Sequence, residues 1–146
     1  MKRNESFTTS IVVDQTPKEV FDAVNNVRGW WSAGLEGKSE KLGDVFTFRY
    51  EDIHESRQKL VEVVPGKKVV WLVQEASLNF ARDKDEWKGT KVVFDIAKKG
   101  KKTELRFTHD GLVPSFECFD ACREGWGFFI ETSLRKLITT GKGKPA

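Results

Sequence analysis

The sequence predicts an α+β fold, in which an antiparallel β-sheet carries helices on one face only. Two observations predict it. Between residues 46 and 109 most of the chain alternates apolar and polar residues, which is the period of strands with one buried face. Helical spacing of apolar residues is confined to segments near the two ends, and the turns between strands are too short for crossover helices. The 146 residues are predicted to form one domain, 1–146.

The first strand and the first helix follow one another directly. From Phe7 to Val13 apolar residues alternate with Thr and Ser, which predicts a strand. Thr16 is the expected N-cap of the next helix, because Pro17 suits the first helical position and Glu19 completes a capping box. Apolar residues then repeat at helical spacing, and the helix is expected to end near Gly29.

A run of strands comes next, after a connecting segment that contains Trp30 and Trp31 and a glycine-punctuated loop over 34–43. Pro65–Gly66 and the residues around Gly100 are typical turns, so neighbouring strands are expected to pair as antiparallel hairpins. The expected strands cover residues 46–50, 57–64, 69–73, 90–96 and 103–109.

The last element is predicted to be a long helix. Apolar residues recur at spacings of three and four from Phe116 to Ile138. Gly125 and Gly127 interrupt this stripe, and each costs a helix about 1 kcal/mol relative to alanine. We interpret them as sites of close packing, a bend, or a join between two helices. Residues 141–146 have no apolar anchor and are predicted to form a flexible tail.

Composition and charge exclude several classes of protein. A hydrophobic share of 38% beside 32% charged residues excludes a membrane protein and a disordered chain. The net charge of +3 is too small for a polyanion-binding stripe, so no nucleic-acid partner is predicted. The N-terminal segment is too short and too polar for a signal peptide or a membrane span. These features predict a cytoplasmic protein without membrane insertion.

Polar candidates for chemistry are few. His54 and His109 are the only histidines, and neither has a recognised zinc spacing to Cys118 or Cys122, so no metal site is predicted. No cofactor and no catalytic residue are assigned either. His109 shares strand parity with apolar residues and is expected to point inward, either as a hydrogen-bonded structural group or as a functional one. The two cysteines lie four apart on a predicted helix and are expected to be reduced apolar fillers.

Several short motifs, taken in order, resemble those of the START-like superfamily, also called helix-grip or SRPBCC proteins. Within it the sequence is most similar to the group named for the C-terminal domain of the activator of the Hsp90 ATPase. The resemblance extends from Phe7 to about Gly141. The motifs that carry it are Pro17-Lys18-Glu19-Val20-Phe21, Trp30-Trp31, Val64-Pro65-Gly66 with Val70-Trp71, Trp87-Lys88-Gly89-Thr90, Thr108-His109-Asp110-Gly111-Leu112 and Gly125-Trp126.

This resemblance implies a curved antiparallel sheet that grips a long C-terminal helix, with short helices after the first strand and a cavity between sheet and helix. Superfamily members use that cavity for lipids, sterols, hormones and polyketides. Five Trp and eleven Phe supply the rings that such a pocket requires. The residues expected to line it are Trp31, Phe46, Phe48, Trp71, Phe94, Phe107, His109, Trp126 and Phe129.

Three functions stand as hypotheses at this point. The first is a noncatalytic binding protein for a small hydrophobic or amphipathic molecule held in the cavity. The second, suggested only by the name of the group, is a protein-interaction or co-chaperone module acting on an Hsp90-type ATPase. The third is a cyclase-like or hydrolase-like enzyme that uses the same cavity, with His109 as its best candidate residue. The ligand and the oligomeric state stay open.

Overall fold

The computed structural model describes residues 6–50, 54–78, 87–112 and 119–145. In chain order the elements are β1 (Phe7–Val13), α1 (Pro17–Asn25), α2 (Val27–Trp30), β2 (Glu36–Gly37), β3 (Val45–Tyr50), β4 (His54–Val64), β5 (Lys68–Leu78), β6 (Lys91–Lys99), β7 (Lys102–Asp110), α3 (Phe119–Gly127), a π-helical segment π1 (Phe128–Leu134) and α4 (Arg135–Thr140). The strands form one curved antiparallel sheet in the order β1-β7-β6-β5-β4-β3-β2. The predicted α+β helix-grip architecture is confirmed.

The start of α1 matches the predicted capping box. The Thr16 hydroxyl oxygen accepts a hydrogen bond from the Glu19 backbone N–H at 3.2 Å, and Glu19 Oε1 accepts one from the Thr16 backbone N–H at 3.0 Å. Pro17 occupies the first turn, where its missing N–H costs nothing. The sequence therefore determines where this helix begins.

The predicted end of α1 near Gly29 is wrong. The helix ends at Asn25, because Asn26 adopts φ −87° and ψ 66°, and the chain restarts as the short helix α2. Trp30 therefore closes a helix instead of lying in a connecting segment. Trp30 and Trp31 are both buried, so the break directs two consecutive large rings into the core.

The sheet buries one row of side chains from each central strand, as the alternation in the sequence predicted. On β7 the buried row contains Thr103, Leu105, Phe107 and His109. The pairing of β4 with β5 is irregular between Arg57 and Gln58 and between Leu60 and Glu62. Such irregularities bend a strand locally, which helps the sheet to curve around a helix.

The C-terminal helix changes its winding along its length. An α-helix has 3.6 residues per turn, so a buried row with an interval of four drifts by about 40° at each step. The turns of π1 contain more residues and reverse that drift, so the row keeps facing the sheet. The buried row is Cys122, Trp126, Ile130, Leu134 and Ile138.

Within the part of the chain that the structure describes, no helix is long and apolar enough to cross a membrane.

The glycine pair lies where the winding changes. Gly127 is the last residue of α3, and the helix continues without a break into π1, so the glycines do not join two separate helices. A methyl group placed at Gly125 or Gly127 would meet no described atom within 4 Å, which argues against close packing there. Phe116 and Cys118, which the sequence placed on this helix, lie outside the described residues.

The segment after α4 has polar contacts that the sequence did not predict. The Ser133 hydroxyl donates to the Trp30 carbonyl oxygen at 2.6 Å and accepts from the Lys144 backbone N–H at 2.8 Å. A methyl group at Gly143 would collide with the carbonyl oxygens of Gly29 and Ser133, so this glycine fits closely against α2 and π1. The flexibility of residues 141–146 stays a prediction.

We expect Ser133→Ala to destabilise the fold by about 1–3 kcal/mol, because it leaves the Trp30 carbonyl and the Lys144 N–H without this partner. Urea unfolding followed by Trp fluorescence measures the change. Thr139→Ala is the control, since the exposed Thr139 hydroxyl binds only a carbonyl of its own helix; its effect is expected to stay within about 0.5 kcal/mol. Equal effects of the two substitutions would contradict the role of Ser133.

Candidate functional site

Aromatic rings from the helices and the sheet meet in one interior group, called the ring cluster below. The segment at α2 contributes two rings, the inner face of the sheet contributes five, and the C-terminal helix contributes two from the opposite side. The members are Trp30, Trp31, Phe46, Phe48, Trp71, Phe94, Phe107, Trp126 and Phe129.

Trp31 lies in the middle of the ring cluster. Its ring stacks on Phe48 with a centroid distance of 4.0 Å and an interplanar angle of 8°. Its ring lies 5.6 Å from Trp71 at 15° and 4.9 Å from Trp126 at 33°. One side chain therefore contacts two strands of the sheet and the C-terminal helix, which makes it the main link between the layers.

Edge contacts extend the cluster across the sheet. The Trp71 ring meets Phe46 at 4.8 Å and Phe94 at 4.9 Å, in T-shaped arrangements that aromatic pairs favour. Phe107 lies 5.4 Å from Phe94 and 4.6 Å from Trp126. The rings thus pack directly on one another between the sheet and the helix.

Phe129 lies at the rim of the cluster. Its side chain is only partly buried, and its ring lies 6.5 Å from Phe48 at an angle of 81°. The adjacent Phe128 is 45% exposed. The cluster therefore approaches the surface at π1. The aromatic residues that the sequence assigned to a pocket are brought together, and their part in ligand binding stays a prediction.

His109 lies beside the cluster and is completely buried. The Trp126 indole N–H donates to its Nδ1 at 3.0 Å, and its Nε2 lies 2.8 Å from Thr90 Oγ1. The Thr90 hydroxyl donates in turn to the Trp87 carbonyl oxygen at 2.5 Å. Because Nδ1 accepts, the proton of the neutral ring belongs on Nε2, where it is donated to Thr90.

This hydrogen-bond chain connects three parts of the fold. Trp126 belongs to α3, His109 to β7, and Thr90 lies just before β6. The sequence left two alternatives for His109, a hydrogen-bonded structural group or a functional group, and this arrangement fits the first. Both ring nitrogens have hydrogen-bond partners in this geometry.

The sequence reasoning missed Trp87 as a part of this region. Its ring stacks on Trp126 at 5.7 Å and 12° and meets His109 edge-on at 4.7 Å. Its indole N–H lies 3.3 Å from the sulfur of Cys122, which is buried and not disulfide-bonded. The Trp87-Lys88-Gly89-Thr90 motif is the signal in the sequence that points to this region, although by itself it indicates only the fold.

Two buried polar residues of β4 were also missed. Ser56 and Gln58 are fully buried on the inner face, and Gln58 Nε2 donates to Ser56 Oγ at 2.6 Å. Among the described residues, Gln58 Oε1 has no hydrogen-bond partner, and neither has the indole nitrogen of Trp71. The signal was present, since Ser56 and Gln58 continue the strand alternation that places Leu60 inside.

Charged side chains are confined to the surface of the described part of the chain. The buried polar residues there are Ser, Thr, Asn, Gln and His109, with no Lys, Arg, Asp or Glu among them. Hydrogen bonds from Arg49 to Glu36 and Glu55 raise the pKa of that guanidinium on the exposed face of the sheet.

No group of three or more His, Cys, Asp or Glu that could hold a metal ion occurs among the described residues. The side chain of His54 lies outside them.

A small polar cleft lies outside the ring cluster. It has a volume of about 120 Å³ and is lined by residues of the α1–α2 junction and of the loop around Ser39. Ser39 donates to the Asn25 carbonyl oxygen at 2.8 Å, so its hydroxyl already has a role in holding the loop. This cleft contains none of the residues that the sequence assigned to a pocket.

Comparison with protein families gives one match. The family described as Activator of Hsp90 ATPase homolog 1-like protein matches residues 14–139. No curated protein sequence is similar enough to count as a match.

Several solved structures have a similar fold. The Aha1 dimer from Colwellia psychrerythraea is 23% identical, with a TM-score of 0.75, over 94% of this chain and 98% of that one. DynU16, from the dynemicin biosynthetic locus, is 16% identical, with a TM-score of 0.69, over 97% of this chain and 50% of that one. MLL2253 from Mesorhizobium loti is 17% identical, with a TM-score of 0.66, over 86% and 92%. At these identities the similarity shows the fold alone.

We expect His109 to be the neutral Nε2–H tautomer at pH 7, and ¹⁵N chemical shifts of the imidazole measure it. Thr90→Val removes the acceptor of that proton and is expected to destabilise the fold by about 1–3 kcal/mol. Thr47→Val on β3 is the control, because Thr47 is also partly buried on the sheet but lies away from His109. An Nδ1–H tautomer, or equal effects of the two substitutions, would contradict the hydrogen-bond chain.

Proposed function

The chain belongs to the family of activator of Hsp90 ATPase homolog 1-like proteins, within the START-like helix-grip superfamily, and from that premise we propose that it is a noncatalytic binding protein for a small hydrophobic or amphipathic molecule. The ligand would be held between the C-terminal helix and the sheet. The cytoplasmic location stays a prediction.

The ring cluster is the observation that supports this proposal. Rings from opposite layers face each other across the space where helix-grip proteins hold their ligands, and sparse polar groups lie among them. Apolar contact supplies affinity in such sites and a few hydrogen bonds fix orientation. Several of these rings contact one another between the two layers, so we expect a ligand to displace some of them.

Entry at the Phe129 rim requires the smallest rearrangement. Phe129 is the partly exposed member of the cluster, and its ring lies 6.5 Å from Phe48, which is farther than the 4.0 Å between Phe48 and Trp31. It lies on π1, and π-helical segments occur frequently at functional sites. Movement of this ring would open a path to Trp31 without disturbing the His109 hydrogen bonds.

A titration with oleate, cholesterol and anthraquinone tests the proposal. We expect at least one of them to change the Trp fluorescence saturably and to raise the melting temperature, because a ligand that binds the folded state stabilises it. The ring cluster contains four tryptophans, so a bound molecule would change their emission. Absence of both responses for all three compounds would overturn the proposal.

Phe129→Ala is expected to weaken that binding about tenfold, because it removes an aromatic contact at the rim. Phe21→Ala is the matched control, since Phe21 is also partly buried but packs from α1 outside the ring cluster. Isothermal titration calorimetry at 25 °C measures both affinities. Equal losses in the two variants would contradict entry at π1.

A second function has two observations in its favour. The description of the family and the similarity to an Aha1 dimer favour an interaction with an Hsp90-type ATPase. Mixing the protein with such an ATPase is then expected to raise the rate of ATP hydrolysis and to produce co-elution in size-exclusion chromatography. Lysozyme, a basic protein of similar size, is the control. Failure of both effects would remove this candidate.

A further inference from the structure

We propose that Gln58 and Trp71 together recognise the hydroxyl group of an uncharged amphipathic ligand. The inference rests on the proposed binding function and deepens it, because it states which end of the ligand lies deepest and what chemistry that end has. Its support comes from two polar atoms in the interior that have no hydrogen-bond partner among the described residues.

The two side chains are neighbours on the inner face of the sheet. Gln58 pairs with Val73 and Leu60 pairs with Trp71 in the ladder between β4 and β5. Gln58 and Trp71 are therefore diagonal partners on one face, a separation that long side chains and aromatic rings can span together. Our inference places one ligand group between these two side chains.

Their polar atoms are fully buried, and the two in question have no partner among the described residues. Gln58 and Trp71 each have 0% relative exposure, and neither Gln58 Oε1 nor Trp71 Nε1 has a partner in the described part of the protein. The opposite end of the Gln58 amide is held by Ser56 at 2.6 Å. Unpaired buried polar groups destabilise a fold, so native proteins keep them where something else satisfies them.

The surroundings require an uncharged ligand group. No Lys, Arg, Asp or Glu is buried among the described residues, so a carboxylate or an ammonium at this depth would lack a counter-charge. A hydroxyl group fits because it accepts from the indole N–H and donates to the amide oxygen. The hydroxyl group also fits if the Gln58 amide is turned over, because the hydroxyl oxygen can then accept from both the amide N–H and the indole N–H.

The apolar remainder of the ligand would lie among aromatic rings. Phe46 and Phe94 flank Trp71 at centroid distances of 4.8 and 4.9 Å, and Trp31 stacks near it at 5.6 Å. A molecule with a hydroxyl group at one end and an aromatic or alicyclic body matches these walls. Phenols and sterol-like alcohols are the ligand classes that this arrangement favours.

Three probes that differ in one substituent test the inference. p-Cresol, toluene and p-toluate share a methylated ring and carry a hydroxyl, a hydrogen and a carboxylate. The readout is the indole N–H resonance of Trp71 in ¹⁵N-labelled protein, identified by its loss in Trp71→Phe. We expect p-cresol to move this resonance downfield saturably and to bind about tenfold more tightly than toluene, while p-toluate does not bind.

Substitution of the amide separates recognition from packing. Gln58→Leu keeps the size of the side chain and removes its polar end, so the preference for p-cresol over toluene is expected to fall from about tenfold to below about threefold. Gln74→Leu is the matched control, because Gln74 is a partly buried glutamine of the same strand pair that has no pairing partner in the ladder. It is expected to retain the full preference.

The outcomes distinguish this inference from the function on which it rests. Toluene binding as tightly as p-cresol, with the Trp71 resonance unmoved, overturns the hydroxyl site while ligand binding stands. Long-lived water at the Trp71 N–H that p-cresol does not displace also overturns it. If none of the probes binds, the inference is wrong, and the titration with larger ligands decides the proposed function separately.

Discussion

The stacking of Trp31 between Phe48 and Trp71, with Trp126 against it, is the contact on which the rest of the structure depends. It connects the short α2 segment to the sheet and the sheet to the C-terminal helix. The helix break at Asn26 makes this stacking possible, because Trp30 and Trp31 would point in other directions if α1 continued without interruption. The winding of π1 serves the same contact surface by keeping the buried row of the last helix directed at the sheet.

Polar groups inside this aromatic interior are of two kinds. His109 has a partner at each ring nitrogen, and its hydrogen bonds join α3, β7 and the residues before β6. Gln58 and Trp71 instead present an acceptor and a donor without described partners. Since both kinds are equally buried, burial alone does not separate structural from functional polar groups. Whether their hydrogen bonds are satisfied does distinguish the two kinds, and our proposal of a ligand contact rests on the pair of β4 and β5 that lacks described partners.

The fold of this protein is established, whereas its function is a proposal. Family membership and the similar solved structures establish the helix-grip architecture, and those structures share at most 23% of their residues with this chain. Such folds host many functions, so the ligand class has to come from side chains and not from the architecture. We propose that the ring cluster and the polar pair within it are those side chains, because they lie in an interior where the described residues bury no Lys, Arg, Asp or Glu.

The sequence by itself determined the longer strands of the sheet, the start of α1, the inward direction of His109 and most of the rings that would be buried, but it missed the short strand β2 and the extension of β5 to Leu78. These follow from local rules: alternation along a strand, a capping box, and parity with apolar neighbours. It did not determine the break at Asn26, the π-helical turns, or the contacts of Trp87, Ser56 and Gln58. Those depend on residues far apart in the chain, because which ring fills a space or which hydroxyl reaches an amide is decided only when sheet and helix pack together.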